Sequence, residues 1–231
     1  MGAVKTKRMP RAVREQQMLD AAVRTFGQRG YAAVSMDEIA ELAGVSKPLV
    51  YLYLNSKEDL FLACIRREAQ TLTDAVRTGA HPELAADRQL WEGLRAFFTY
   101  TARHPDGWAV LHLQARTHGE PFVSEVNAIR QEIVAFVTQL VTVAARDRRT
   151  PAPNAAAPRD LPEREATGLA EALVGAAESL AAWANTAPGV TARQAAATLM
   201  NFAWAGLGDL MEGRPWVPPE GEGAPVPANE P

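Results

Sequence analysis

The stretch Phe26–Phe61, FGQRGYAAVSMDEIAELAGVSKPLVYLYLNSKEDLF, decides the reading of the chain, because it holds two short helical patterns joined by a tight break, Ala43-Gly44-Val45-Ser46. Ser35 opens the first pattern: its hydroxyl can accept the free N–H groups of a first helical turn, and Glu38 three residues on completes a capping box. Met36, Ile39, Ala40 and Ala43 then share one helical face. Gly44 supplies the positive φ that ends a helix and turns the chain. Ser46 restarts the helix as an N-cap, and Pro48 follows where a missing N–H does no harm and a fixed φ helps. In this second helix Val50 and Leu54 point inward, which leaves Pro48, Leu49, Leu52 and Tyr53 outward. An outer face so apolar and aromatic suits a binding surface better than a merely solvated one. The pattern is a helix-turn-helix, and the ligand it implies is DNA.

The following helix begins Asn55-Ser56-Lys57-Glu58-Asp59, where Ser56 can cap and Glu58 and Asp59 suit the positive end of the helix dipole. Lys57 is mildly unfavourable there by itself, but beside a phosphate it joins the free N–H groups in binding the anion. With Phe26, Gly30-Tyr31, Ile39-Ala40, Ala43-Gly44-Val45-Ser46, Val50-Tyr51, Tyr53 and Ser56-Lys57 in order and at the family's spacing, the segment from about Arg11 to Ala63 resembles the N-terminal domain of the tetracycline-repressor (TetR) family of transcriptional regulators. Two positions depart from that pattern: Leu49 stands where many members carry a small or hydroxylated residue, and Leu54 where an aromatic is common. The resemblance implies a homodimer on a near-palindromic operator, paired through its last two helices, with a small-molecule effector bound between helices 5 and 8. It also implies that Lys57, Tyr51 and Ser35 hold phosphates.

A chain of 231 residues, 47% apolar, can bury a sizeable core. Its 16 Gly and 16 Pro leave long helical patterns unbroken, so an all-α protein of about nine helices is expected. The net charge of −3 hides an asymmetry: residues 1–80 carry 12 Lys+Arg against 9 Asp+Glu, or +3, and residues 81–231 carry 12 against 18, or −6. Five cations (Lys5, Lys7, Arg8, Arg11, Arg14) and no acid precede Glu15. Such a terminus is either a solvated tail or an arm reaching along a polyanion, and next to a helix-turn-helix the second reading gains. One cysteine, Cys64, excludes a disulfide framework within the chain, and its spacing with Leu60, Phe61 and Ile65 suits a buried structural thiol better than a redox sensor. No secretory signal and no apolar run near the ~18 residues of a bilayer span are visible, so a soluble cytoplasmic protein without membrane contact is expected. Four lysines among 24 basic residues, with abundant Ala, are associated with GC-rich bacterial genomes.

Outward from the central stretch, Leu19, Ala22, Val23 and Phe26 form an i, i+3, i+4, i+7 stripe that gives a first helix over Arg11–Arg29. The fourth helix runs from Lys57 to about Thr78, longer than a three-helix DNA module needs, and links two domains. The expected division is a basic disordered arm (1–10), a DNA-binding domain (11–56), an effector-binding and dimerisation domain (57–212, with linker helix 57–78), and a disordered tail (213–231) in which nine of nineteen residues are Pro or Gly. A fifth helix ends at His104-Pro105, a sixth spans about Gly107–Thr117, a seventh starts after Pro121, and Thr150–Pro162 is a Pro/Ala-rich loop. Two last helices, about Glu163–Ala184 and Thr191–Met211, are apolar nearly all round and need cover on two sides. A partner helix or deep burial in one subunit would supply it; the candidate dimer residues are Gly175, Trp183, Leu199, Phe202, Gly206 and Leu210.

The candidate DNA contacts are Ser35, Met36, Ser46, Lys47, Pro48, Leu49, Tyr51, Tyr53 and Lys57. Leu49 and Leu52 offer no hydrogen bonds to base edges, but the thymine methyl is a good apolar partner, which predicts A·T pairs beneath the helix. Tyr51 can equally pack against helix 1. The candidate effector pocket is walled by Trp91, Phe97, Phe98, Trp108, Leu111, Phe136 and Leu140, with Gln114, Arg130, Gln139 and Glu178 as polar members; each aromatic alone could instead be core. Glu178 interrupts the apolar run Leu173–Trp183 and could pair across a dimer, meet a ligand, or face solvent. The four histidines lack metal-ligand spacing and no Gly-rich phosphate loop follows a strand, so no cofactor, metal or catalysis is implied. The competing role is a ligand-independent architectural DNA-binding protein.

Overall fold

The computed structural model of the chain describes residues 10–147 and 161–211, with side chains described for 10–143 and 161–204. The basic arm up to residue 9, the Pro/Ala-rich segment up to residue 160, the tail from Gly213 and the side chains of Gly206 and Leu210 lie outside the described residues. Nine helices and no strand are found among them. These are α1 (Arg11–Arg29), α2 (Met36–Leu42), α3 (Lys47–Leu54), α4 (Lys57–Gly79), α5 (Ala86–Arg103), α6 (residues 105–117), α7 (Phe122–Asp147), α8 (Glu163–Ala184) and α9 (Ala192–Met211). Helix α6 is α-helical over Pro105–Ala109 and Ala115–Thr117, with a π-helical turn, Val110–Gln114, between them.

The N-terminal unit is built as its apolar spacing requires. Met18, Ala22 and Phe26 of α1, Ile39 of α2, Val50 of α3 and Leu60 and Phe61 of α4 are fully buried together. The turn between α2 and α3 closes with both bonds of a Schellman motif. The Val45 N–H donates to the Ala40 carbonyl at 3.0 Å and the Gly44 N–H to that of Glu41 at 3.0 Å, with Gly44 at φ 65°. The Ser35 hydroxyl accepts from the Glu38 N–H at 3.3 Å, but the Glu38 carboxylate turns away to Arg29, so only half of the expected capping box forms. Ser46 occupies its N-cap position without a side-chain cap bond, whereas Ser56 accepts from the Asp59 N–H at 3.0 Å.

The N-terminal unit does not hang from α4 alone. Helix α1 lies against the start of α6, so closely that a Cβ on Gly27 would stand 2.6 Å from the Asp106 carbonyl oxygen. The Gln114 side-chain oxygen accepts from the Tyr31 N–H at 3.3 Å. An aromatic cluster crosses the same junction: the Phe61 ring lies 4.9 Å from Phe26 and 4.8 Å from Phe122, and Tyr31 lies 5.0 Å from Phe122. One apolar core therefore runs from α1 to α9.

A buried carboxylate adds polar bonds to that junction. Glu68, on α4, is 6% exposed. It accepts from the Tyr100 hydroxyl at 2.8 Å and from both Nε and Nη2 of Arg67, whose Nη1 reaches Asp20 of α1 at 2.7 Å. Gly107 of α6 faces Glu68 Oε2 with no room for a Cβ. Burial, and then the adjacent Glu68 carboxylate, hold the Tyr100 phenol well above its ordinary value, so it stays a donor.

Candidate nucleic-acid interface and buried cavities

Helix α3 turns Val50 and Leu54 into the core and leaves Leu52 72% and Tyr51 40% exposed. Leu49 is half-buried, and so is Tyr53, whose ring packs on the core and lies beneath the Arg11 guanidinium, 4.8 Å from its carbon. Tyr53 thus contacts α1, and its expected outward position is corrected. Met36 is a second correction: its side chain is 5% exposed in the core, which leaves only backbone at that position to meet a ligand. Ser35, Ser46, Lys47 and Pro48 are exposed. Lys47 is not free, because Asp37 of α2 holds its ammonium at 2.7 Å and that hydrogen bond strengthens its hold on the proton.

Lys57 stands at the start of α4 with its ammonium 4.5 Å from the centre of the Tyr31 ring and 3.4 Å from the Ala32 carbonyl oxygen, to which it donates. That carbonyl belongs to the segment leading into the α2 N-cap. Partial burial lowers the Lys57 pKa, yet an ammonium beside two capped helix N-termini still suits an anion.

Inside the C-terminal part lies a cavity of about 120 Å³. Leu72 and Val76 of α4, Leu90, Gly93 and Phe97 of α5, Trp108 of α6, Ile133, Phe136, Val137 and Leu140 of α7, Leu173 and Ala177 of α8 and Trp204 of α9 all face it. Among the described residues, Gln89 and Glu178 bring the polar side chains of its wall, apart from the indole N–H groups of the tryptophans. A second cavity of about 40 Å³ borders the first and is lined by Leu111, His112, Arg116, Val126, Ile129 and Arg130, together with Leu72, Trp108, Ile133 and Glu178 from the shared wall. Glu178 accepts from Arg116 Nη2 at 3.0 Å and lies 3.5 Å from Arg130 Nε, while Arg130 Nη1 donates to Glu171 at 2.6 Å. The carboxylate of Glu178 is thus paired within its own chain.

Residues 18–64 match the family described as bacterial regulatory proteins of the tetR family, and residues 86–206 match a tetracyclin repressor-like C-terminal domain. The chain is 32% identical over 203 residues to the HTH-type transcriptional activator FasR of Mycolicibacterium smegmatis, covering 87% of this chain and 85% of that protein. It is 34% identical over 161 residues to the HTH-type transcriptional regulator EthR of Mycobacterium tuberculosis, covering 68% and 70%. A TetR-like transcriptional regulator from Rhodococcus sp. RHA1 superposes with a TM-score of 0.71 at 36% identity, covering 87% of this chain and 99% of that one. The chain belongs to the TetR family of transcriptional regulators. Its relatives regulate transcription and are not enzymes.

In this TetR-family regulator the cavities collect Phe97, Trp108, Leu111, Arg130, Phe136, Leu140 and Glu178 from the sequence-derived pocket set. Four other members lie elsewhere. Phe98 is 1% exposed in the core, its ring edge-on to that of Phe97 at 5.1 Å between centres, and does not itself line the cavity. Trp91 packs half-buried against the core, Gln114 is engaged by Tyr31, and Gln139 is exposed. The sequence reading missed the α4 and α9 walls and the pair His112 and Arg116. Leu72 and Val76 carry the same spacing as core residues, so no signal marks them; His112 follows Trp108 by one turn on α6, which was such a signal. On the two last helices Trp183 and Phe202 are 53% and 75% exposed, and a Cβ on Gly175 would meet open space. Leu199, 3% exposed, belongs to the core of its own chain instead of an outer face.

Proposed function

We propose that this regulator is a homodimeric repressor that holds a near-palindromic operator through α2 and α3 of each copy and releases it when a small, mostly apolar effector enters the larger cavity. The position of α4 carries the reading. Lys57 at its start adjoins the helix-turn-helix, while Leu72 and Val76 of the same helix wall the cavity. Fifteen residues separate Lys57 from Leu72, about 23 Å of helix. A rod touching both sites can convert a preference of the effector for one arrangement into a change at the other.

The exposed faces of α8 and α9 support a dimer. Gly168, Ala172, Gly175 and Ser179 recur along one side of α8 and lead to Trp183, and Phe202 stands exposed on α9. Small residues permit close approach and the two aromatics supply apolar area, so a second copy of the chain is the fitting cover. Two copies set two recognition helices about 34–36 Å apart or a multiple of it, hence the palindrome. Ser35, Ser46, Tyr51 and Lys57 are the proposed phosphate contacts, Lys47 and Pro48 adjoin the groove, and Leu52, with Leu49 behind it, meets thymine methyls. The proposed DNA target is consistent with a cytoplasmic protein.

Competition binding tests this reading: a palindromic duplex from the regulator's own promoter region should outcompete random duplex by at least about a thousandfold. A near-equal affinity with a steep salt dependence would instead mark an architectural protein. The activator role named for FasR favours a second reading of sign. Deleting the gene should raise transcription next to the operator if the protein represses, and lower it if the protein activates.

A further inference from the structure

The smaller cavity has a chemistry of its own. Two guanidinium groups reach it, but Glu178 engages Arg116 and Arg130, and Glu171 engages Arg130 again, so two positive charges meet two negative ones. His112 stacks on Trp108 with ring centres 4.8 Å apart and planes 10° from parallel. Its Nδ1 is buried without a hydrogen-bond partner among the described residues. Such an atom is under-satisfied as the chain stands, and native proteins rarely leave one so. Burial, then the nearby Arg116, push the imidazole pKa down, so the ring is neutral at neutral pH. Trp108 borders both cavities and joins the apolar chamber to this polar corner.

We propose that the effector is an amphiphile with an uncharged head, its chain in the larger cavity and one hydroxyl, carbonyl or amide group bonded to His112 Nδ1 in the smaller. This rests on reading the larger cavity as the effector site. A carboxylate head would stand beside Glu178 and gain little from arginines already neutralised, and an ammonium head would stand beside those arginines. Only a neutral polar group gains the free nitrogen without breaking a pair.

Calorimetric titration of the full chain with four probes of one chain length, 1-decanol, decanoate, decylammonium and 1-chlorodecane, reads the head-group preference. Decanol should bind about tenfold or more tighter than either charged probe. His112→Phe keeps the stack on Trp108 and should remove about a tenfold share of decanol affinity while leaving 1-chlorodecane unchanged. Glu178→Gln should admit decanoate, because it removes the carboxylate beside the head group and frees Arg116, while Arg130 keeps its pair with Glu171; this arm stands even if the His112 variant fails to fold. Tighter binding of decanoate than decanol to the unaltered chain, or equal decanol binding with and without His112, overturns the proposal. Absence of binding by every probe overturns it together with the effector reading. The expected ranking with no change in operator affinity would uphold the head-group site and sink its role as an effector site.

Discussion

Asp37 holds Lys47, the one cation on the recognition helix α3. On DNA that carboxylate competes with phosphate for the ammonium and repels the backbone, so it acts as a brake on affinity. Asp37→Asn should therefore tighten operator binding about threefold at low salt, with the gain shrinking as salt screens it; fluorescence anisotropy across a salt series measures both. His112 gives a pH prediction for stability. The unfolded chain takes up its proton near the ordinary imidazole value of about 6.5, whereas burial in the folded chain delays that uptake to lower pH. In the window between the two values the unfolded state binds more protons, so stability falls as pH falls below about 6.5. Urea melts at pH 7 and pH 5.5 should show this loss, and His112→Phe should reduce it. Glu125, held below the carboxylate range by Arg66, loses its contribution only at more acid pH and does not disturb the window.

At the scale of elements, α1 and α4 make the interdomain packing testable. Gly27 faces the Asp106 backbone, which cannot swing aside as a side chain would. Gly27→Ala should lower stability by about 1–3 kcal/mol, seen as a lower midpoint in thermal or urea melts, and should loosen α1 from α6. Much of this level was legible beforehand. The bounds of α1 follow from a stripe ending at Phe26 and a glycine at position 30, and the α2–α3 turn follows from Gly44, because both signals are local. The walls of the cavities were not legible, for a physical reason. Phe97 and Phe98 are adjacent and equally apolar, yet only Phe97 reaches the cavity; spacing tells which residues leave the solvent and says nothing of whether the far side is filled. The π turn of α6, which carries His112, likewise has no local sequence signature.

For the molecule as a whole, the proposed function depends on two couplings, between copies and between sites. Phe202→Glu places a charge on the exposed aromatic of α9 and should shift the protein to monomer in sedimentation. Operator affinity should then fall by about 10²–10⁴-fold toward that of a half-site, because the second recognition helix no longer benefits from the first. Binding to an isolated half-site should hardly change, which separates lost dimerisation from a damaged helix-turn-helix. The coupling between sites obeys a stricter rule. If an effector lowers operator affinity by some factor, operator must lower effector affinity by the same factor, typically about 5–150-fold. The path through the molecule is short: Leu72 and Val76 face the cavity on the helix whose start carries Lys57, and Arg67 and Glu68 on that helix tie it to Asp20 of α1 and Tyr100 of α5. A ligand that moves α4 must strain or repack this cluster, so the change is transmitted to the N-terminal unit as a whole. Glu68→Gln keeps the shape and weakens the charged tie to Arg67, which should lower the shared factor while leaving the cavity wall intact. Titrating effector with and without operator, and operator with and without effector, gives the factor twice. A factor of one in both titrations of the unaltered protein would rule out two-site coupling, and equal values that shrink together in Glu68→Gln would place the coupling in the α4 cluster.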